Sequence, residues 1–346
     1  MVAAAVALTA LGILSGCSSS SSNATHLAFV AGGVNAVSAY RVNNKSGSAS
    51  VIVGSPYVAG NSPSSVVVHP SGQFLHVANQ ADSTISLFTI NSTTGALTEV
   101  LPRASAGGFS PGFMTMDSGG SFLFVANQSS NDVWAFQIGS AGALTQVSSV
   151  SVGSSPAGLA LTSSGFLYVP VPNFSAIAVL SANSGVLQVV GSFPVNNGVG
   201  GVAVGSGAKV LYATNPATNT VSAFTIQAGG SLTALPGLTM GTGTTPVIVA
   251  TDLTGSFLYV ANSGSGSISQ FKIDSTTGAL TAFTTASVSV GTNPVFVVAD
   301  QGGKFIFVGN TGSRSVTELS INSDGSLTSS NTISPGFVPR SLAVTK

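Results

Sequence analysis

An all-β fold, a seven-bladed β-propeller of four-stranded antiparallel blades closed by its C-terminal strand, is what the sequence predicts, and three observations carry the prediction. The first is a recurring phrase. Phe-Leu-Tyr-Val-Ala-Asn at 257–262 returns as Phe-Leu-His-Val-Ala-Asn from Phe74, Phe-Leu-Phe-Val-Ala-Asn from Phe122 and Phe-Ile-Phe-Val-Gly-Asn from Phe305. Measured on its fourth residue, the copies fall at Val30, Val77, Val125, Val169, Ala213, Val260 and Val308, at intervals of 47, 48, 44, 44, 47 and 48 residues, the period of a propeller blade. The second is the grammar around the phrase: a Gly-x-x-Pro lead-in, an apolar run, a turn, the phrase, a polar loop, an alternating run ending in Ile, and Gly-x-Leu-Thr. The third concerns the ends. The first copy begins directly at the second strand, from Leu27, whereas the chain finishes on Pro339-Arg340-Ser341-Leu342-Ala343-Val344, a first strand with nothing after it. Together they complete one blade, which pairs two otherwise open sheet edges.

In chain order, the first element is a leader. Residues 1–16 are apolar over a stretch too short to span a bilayer and read as a secretory signal. Leu14-Ser15-Gly16-Cys17 resembles the lipobox of bacterial lipoproteins, which implies lipidation of Cys17 and an exported protein anchored in the bacterial envelope by that lipid alone. Residues 17–25 carry a Ser run that reads as a flexible tether, and the propeller occupies 26–346. Cys17 is the only cysteine, so no disulfide forms within the chain.

The copy around Val260 shows how each blade is built. Pro246 starts an apolar run through Ala250 that stops at Asp252 and Gly255, a turn pair. The phrase is the second strand, Ile268 to Ile273 the third, and Ser275-Thr276-Thr277-Gly278 a hairpin whose glycine supplies a positive φ. Ala279-Leu280-Thr281-Ala282-Phe283 begins the fourth strand. The first strands, such as 247–250 and 295–299, are continuous apolar runs, as expected of strands covered on both faces.

What recurs in every blade serves what every blade does. The third position of the phrase holds Phe29, His76, Phe124, Tyr168, Tyr212, Tyr259 and Phe307, and two residues earlier every copy is apolar. This pattern predicts packing against a neighbouring blade rather than a site. Asn79, Asn127, Asn215, Asn262 and Asn310 close the second strands, where an amide satisfies loop backbone groups. His76 stands in the aromatic series and His69 at the turn position of Asp117, Asp252 and Asp300, so both read as structural substitutes; His26, beside the tether, reads as solvated. Trp134 replaces the serines at 38, 86, 222 and 269 and reads as a gap filler between blades.

The forms Leu-Tyr-Val-Ala-Asn at 258–262 and Leu-Tyr-Ala-Thr-Asn at 211–215 resemble the repeat of the YVTN propellers and of the lactonase family of seven-bladed propellers, which includes 6-phosphogluconolactonases and a muconate cycloisomerase. The resemblance runs from residue 26 to the end. It implies action on a lactone at the central channel mouth, but no catalytic motif of the family matches this chain residue by residue.

Composition narrows the function. Only 5% of residues are charged and the formal net charge is zero, against a typical ~25% charged, so no basic surface exists to bind nucleic acid through counterion release. The strands are too brief and too uniformly apolar for an outer-membrane barrel, which needs about 10 alternating residues per strand. No metal-ligand spacing, nucleophile elbow or phosphate loop is present, and no cofactor is implied. The ionisable residues expected near the mouth are Arg103, Asp82, Asp132, Arg314 and Arg340. Arg340 stands out because its equivalents, Ser64, Gly112, Ala157, Gly200, Val247 and Val295, are small or neutral. Arg340, Arg314 and Arg103 are thus the candidate ligand-binding residues, with an Arg314–Glu318 ion pair as the competing role for Arg314. Glu99 and Glu318 are expected on or beside outer strands. The fourth copy, with Pro170-Val171-Pro172-Asn173-Phe174 and Asn196-Asn197-Gly198, has irregular loops where a binding surface could form. The sequence therefore favours a non-catalytic envelope propeller that binds a protein or glycan at its channel face, with a lactonase or cycloisomerase as the alternative and a pure spacer as a third reading.

Overall fold

A computed structural model describes residues 25–195, 198–205, 207, 209–300 and 302–345. The leader, Cys17, the tether up to residue 24 and the Asn196-Asn197 pair lie outside the described residues.

Seven antiparallel sheets form the blades of a closed propeller. Blade 1 runs through Pro63–Val68, Phe74–Asn79, Thr84–Ile90 and Leu97–Ser105. Blades 2 to 6 repeat this order, starting at Pro111, Ala160, Val202, Pro246 and Pro294. Blade 7 is the composite one: Pro339–Val344 pairs with Thr25–Gly32, which pairs with Ala36–Asn43, which carries Ala49–Val51 and the short strand Tyr57–Val58. The register sets Ala28 opposite Val344, Phe29 opposite Ala343 and Val30 opposite Leu342. Leu27 N–H donates to Thr345 Oγ1 at 3.0 Å and Thr345 N–H donates back to the Leu27 carbonyl at 2.9 Å. Ser341 Oγ then accepts from Val66 N–H of blade 1 at 3.1 Å, linking the closing strand to the next blade. A 3₁₀ turn, Pro172–Phe174, takes the place of the usual loop in blade 3.

The core is divided. Seven clusters of buried apolar residues lie one to each seam between blades, so a strand residue faces one neighbour or the other according to its parity. Leu167 belongs to the seam with blade 2, and Tyr168, one residue on, to the seam with blade 4. Odd positions of the phrase face the following blade, even positions the preceding one.

The odd positions also make a polar clasp. Tyr168 Oη donates to the Gly230 carbonyl at 2.7 Å, Tyr212 to Gly278 at 2.9 Å and Tyr259 to Gly325 at 2.8 Å. Each acceptor is the glycine of the next blade's outer hairpin. His76 holds Gly142 in the same way through Nε2 at 2.8 Å, and burial pushes its imidazole down to about 4, only partly offset by that hydrogen bond. His76 is therefore a neutral stand-in for tyrosine, as its place in the series implied. Where Phe124 lacks a hydroxyl, Ser148 Oγ donates to the Gly185 carbonyl instead, at 2.7 Å. The glycines are required by close approach: a Cβ on Gly278 would stand 2.4 Å from Val210, and one on Gly325 2.1 Å from Phe257.

The asparagines do scaffold work inside the blade. Asn79, Asn215, Asn262 and Asn310 each donate through Nδ2 to the hydroxyls five and seven residues on, across the loop between second and third strands. In blade 2 Trp134 occupies the place of the second hydroxyl, and Asn127 turns to Asp132 Oδ1 and the Ala106 carbonyl. Trp134 itself is half-buried, stacks on Phe136 at 6.4 Å between centroids, and packs on Gly107. That is a gap filler, not an exposed platform.

Candidate functional site

The lead-ins to the first strands converge at one end of the channel, because each first strand is innermost and enters from that side. They enclose a cavity of about 480 Å³ lined by Ser64, Gly112, Val295 and Arg340, the position after the lead-in proline in four blades, together with Gln80, Gln128 and Thr311. Arg340 is exposed and is the only ionisable residue in this lining. The rest offers two amides, two hydroxyls and the apolar Phe113, Val295 and Val338: Gln80 Nε2 donates to Gln128 Oε1 at 2.9 Å, Ser64 Oγ donates to the Pro111 carbonyl at 2.6 Å and Thr311 Oγ1 to the Asn293 carbonyl at 3.1 Å.

The other two arginines do not join it. Arg314 is exposed in the loop between the second and third strands of blade 6, with φ of 54°. The corresponding loop position holds Ser83, Asn131, Ser175 and Asn219, all left-handed, so Arg314 fills a backbone slot. Its expected pairing with Glu318 does not form. Four residues along a strand span about 13 Å at ~3.3 Å each, and Glu318 faces inward, fully buried, on the third strand of blade 6. Glu318 does lie beside the outermost strand of its blade, paired with Asn331, but its side chain turns into the seam. Arg103 lies on the outermost strand of blade 1, away from the channel. That strand bulges over Leu101–Arg103, since Val100 pairs with Leu87 and Ala104 with Ile85. The bulge brings Arg103 Nε to 2.7 Å from Glu99 Oε1.

The acidic candidates are likewise occupied. Asp82 accepts from Asn61 N–H at 2.6 Å and Asn61 Nδ2 at 2.8 Å, and these hydrogen bonds hold its carboxyl below the usual carboxylate range. Asp132 accepts from Asn127. His69 bonds Ser71 and the Gly120 carbonyl at 2.8 and 3.0 Å, a turn brace of blade 1 against blade 2. His26 is a correction: it is buried, with Nε2 at 3.1 Å from Asp300 Oδ2 of blade 6. Sequence parity alone places it on the even, backward-facing side of its strand, and that signal was available.

A larger cavity, about 520 Å³, opens at the seam of blades 2 and 3. Asn183 and Ser184 of the blade 3 hairpin, a tighter turn than those of its neighbours, line one side of it. Its one ionisable lining residue, Asp117, accepts from Phe122 N–H at 2.5 Å. Gln80 and Gln128 are the lining residues that sequence reasoning missed; both follow the phrase asparagine, a position whose direction is set only by ring closure. Among the described residues no three His, Cys, Asp or Glu side chains cluster as a metal site, and no helix is long and apolar enough to cross a membrane.

The family model described as lactonase, 7-bladed beta-propeller matches residues 22–160 and 174–299. No curated protein sequence matches the chain. Among solved structures, a Bacteroides fragilis protein assigned as a 6-phosphogluconolactonase superposes with a TM-score of 0.81 at 20% identity, over 94% of this chain and 99% of that one. The Pseudomonas aeruginosa periplasmic gluconolactonase gives 0.78 at 18% identity, over 93% and 99%. A Lactobacillus plantarum protein gives 0.79 at 15%, over 93% and 100%. At these identities the superpositions establish the common fold.

Proposed function

The chain belongs to the lactonase family of seven-bladed β-propellers, and from that premise we propose that it is a binding module for an acidic saccharide, taken as the lactone or the open-chain acid, at the channel mouth. The observation that carries this reading is Arg340, a lone exposed guanidinium in an otherwise neutral lining that includes the amides of Gln80 and Gln128. A planar guanidinium matches a carboxylate or a lactone carbonyl, and Gln80, Gln128 and Thr311 suit sugar hydroxyls. One cation balances one carboxylate; a phosphorylated sugar would leave charge uncompensated. Activating water needs a base within reach of the reacting carbon, and the lining offers neither histidine nor carboxylate, which favours holding the ligand over hydrolysing it.

The second reading is lactone hydrolysis at this mouth, favoured by family membership and by similar structures that bear gluconolactonase names. Calorimetric titration with gluconate and a lactone hydrolysis assay separate the two. We expect gluconate binding that Arg340→Ala weakens about tenfold or more, since a charge-assisted hydrogen bond contributes roughly 1.5–3 kcal/mol, and no hydrolysis above the spontaneous rate. Hydrolysis by the wild type that Arg340→Ala abolishes would establish the enzyme reading, and failure to bind any saccharide acid together with no lactone hydrolysis would sink both.

We further propose that the protein is exported and lipid-anchored through Cys17 in the cell envelope, on the strength of the lipobox-like tetrapeptide. Metabolic labelling with a palmitate analogue should mark the wild type and not Cys17→Ser; an unmarked wild type removes the anchor.

A further inference from the structure

The seam that closes the ring, between blades 6 and 7, lacks the tyrosine clasp found at the adjacent seam of blades 5 and 6. Its phrase residue is Phe307, with no hydroxyl to offer, and the glycine opposite is Gly47 of the composite blade. In the space stands Glu318, opposite Phe307 in register and fully buried. Its carboxyl lies against the Gly47 hairpin: a Cβ on Gly47 would fall 1.6 Å from Glu318 Oε1. Neither carboxyl oxygen has a hydrogen-bond partner. The equivalent residue of blade 5, Gln270, is fully satisfied, accepting from Leu327 N–H of blade 6 at 2.7 Å and donating to the Thr285 carbonyl at 2.9 Å.

A carboxylate in this position would be a buried anion without a donor. The charged and titratable groups around it do not supply one. Asp300, on its own blade, is an anion that repels it. His26, on the second strand of blade 7, is already engaged by Asp300. Tyr40, on the third strand of blade 7, shares the apolar cluster with Phe305 and Phe307, and Lys45, in the hairpin before Gly47, is exposed. Ser330 Oγ donates to the Glu318 backbone carbonyl at 3.2 Å.

We propose that Glu318 is held as the neutral acid and donates its proton to a carbonyl of the Gly47 hairpin, so that the closing seam is clasped by a carboxylic acid and loosens when that proton is lost. The tyrosines and Ser148 show the same acceptor served at four other seams. Burial, reinforced by Asp300, pushes the Glu318 acid up to about 7. A raised acid stabilises the fold fully below its unfolded value, near 4.5, and loses that contribution as pH rises toward 7 and beyond. His76 acts in the opposite sense, being depressed to about 4 and destabilising the fold as pH falls below its unfolded value. Only a comparison with a Glu318 variant isolates the seam.

The test is chemical denaturation of wild type and Glu318→Gln at pH 5 and pH 8, where the amide keeps a neutral donor at the site. The ratio of the wild-type unfolding constant to that of the variant should rise about tenfold or more between the two pH values, one pKa unit being a factor of ten. A ratio that does not change with pH overturns the proposal. Infrared difference spectroscopy of the wild type provides a measurement that does not depend on the variant folding: a protonated-acid carbonyl band present at pH 5.5 should vanish on raising the pH. Its absence at pH 5.5 is equally fatal.

Discussion

Truncation before Pro339 is expected to abolish the cooperative unfolding transition. The deleted strand carries Leu342, Ala343 and Val344 into the two seams that flank blade 7, with Leu342 and Val344 packed toward blade 6 and Ala343 toward blade 1. Burying a leucine or valine stabilises by roughly 1.5–3 kcal/mol, and the strand also completes the ladder to Thr25–Gly32 and the Ser341 link to Val66. Against a typical total of about 5–15 kcal/mol, losing all of this together with the exposure of the Thr25–Gly32 edge leaves little margin. Thermal melts followed by circular dichroism should show a broad, low-temperature transition, and size-exclusion chromatography should show aggregation through the bared edge. A truncated chain that melts like the wild type would mean that the ring does not depend on its composite blade.

Tyr212 offers the second large effect, and it separates ring from hydroxyl. Its side chain is fully buried at the seam of blades 4 and 5, and burial pushes its phenol well above the ordinary value. Tyr212→Phe keeps the packing but leaves the Gly278 carbonyl without its donor, for an expected cost of about 1–3 kcal/mol. Tyr212→Ala also opens a cavity and should cost about 3–5 kcal/mol. Midpoints of denaturant unfolding give both values. If Tyr212→Phe were neutral, the clasp would be incidental to the aromatic packing, as Phe29 would then suggest from its own seam.

The two kinds of seam residue differ in how they could be known. A strand announces its own parity, so the phrase disclosed which of its residues face a neighbour, and six aromatics at one position in seven copies disclosed that the partner is always similar. His76 was placed correctly for that reason, and His69 by the turn position it shares with Asp117, Asp252 and Asp300. What faces a given residue lies 62 or 66 positions away in the clasps, and nothing in a single blade specifies it. Glu318 was misread on this account: read locally, an arginine four residues upstream is the natural partner, whereas the seam sets it against Gly47 from the other end of the chain. Arg103 was misread through a bulge that only the pairing with Leu87 and Ile85 reveals.

The mouth shows the same division. Arg340 was found because it breaks a repeat, and ring closure puts its equivalents Ser64, Gly112 and Val295 around one cavity with it. Gln80 and Gln128 break the repeat as well, but a residue just past a strand end has no parity to read.

By itself the sequence determined the blade count, the strand order within a blade and the sharing of one blade by the two termini, because period and alternation are local properties that each copy states again. Only the tertiary structure decided which arginine reaches the channel and which acid is stranded in a seam. Those outcomes depend on the neighbour a side chain meets, and in a ring the neighbour is supplied by closure.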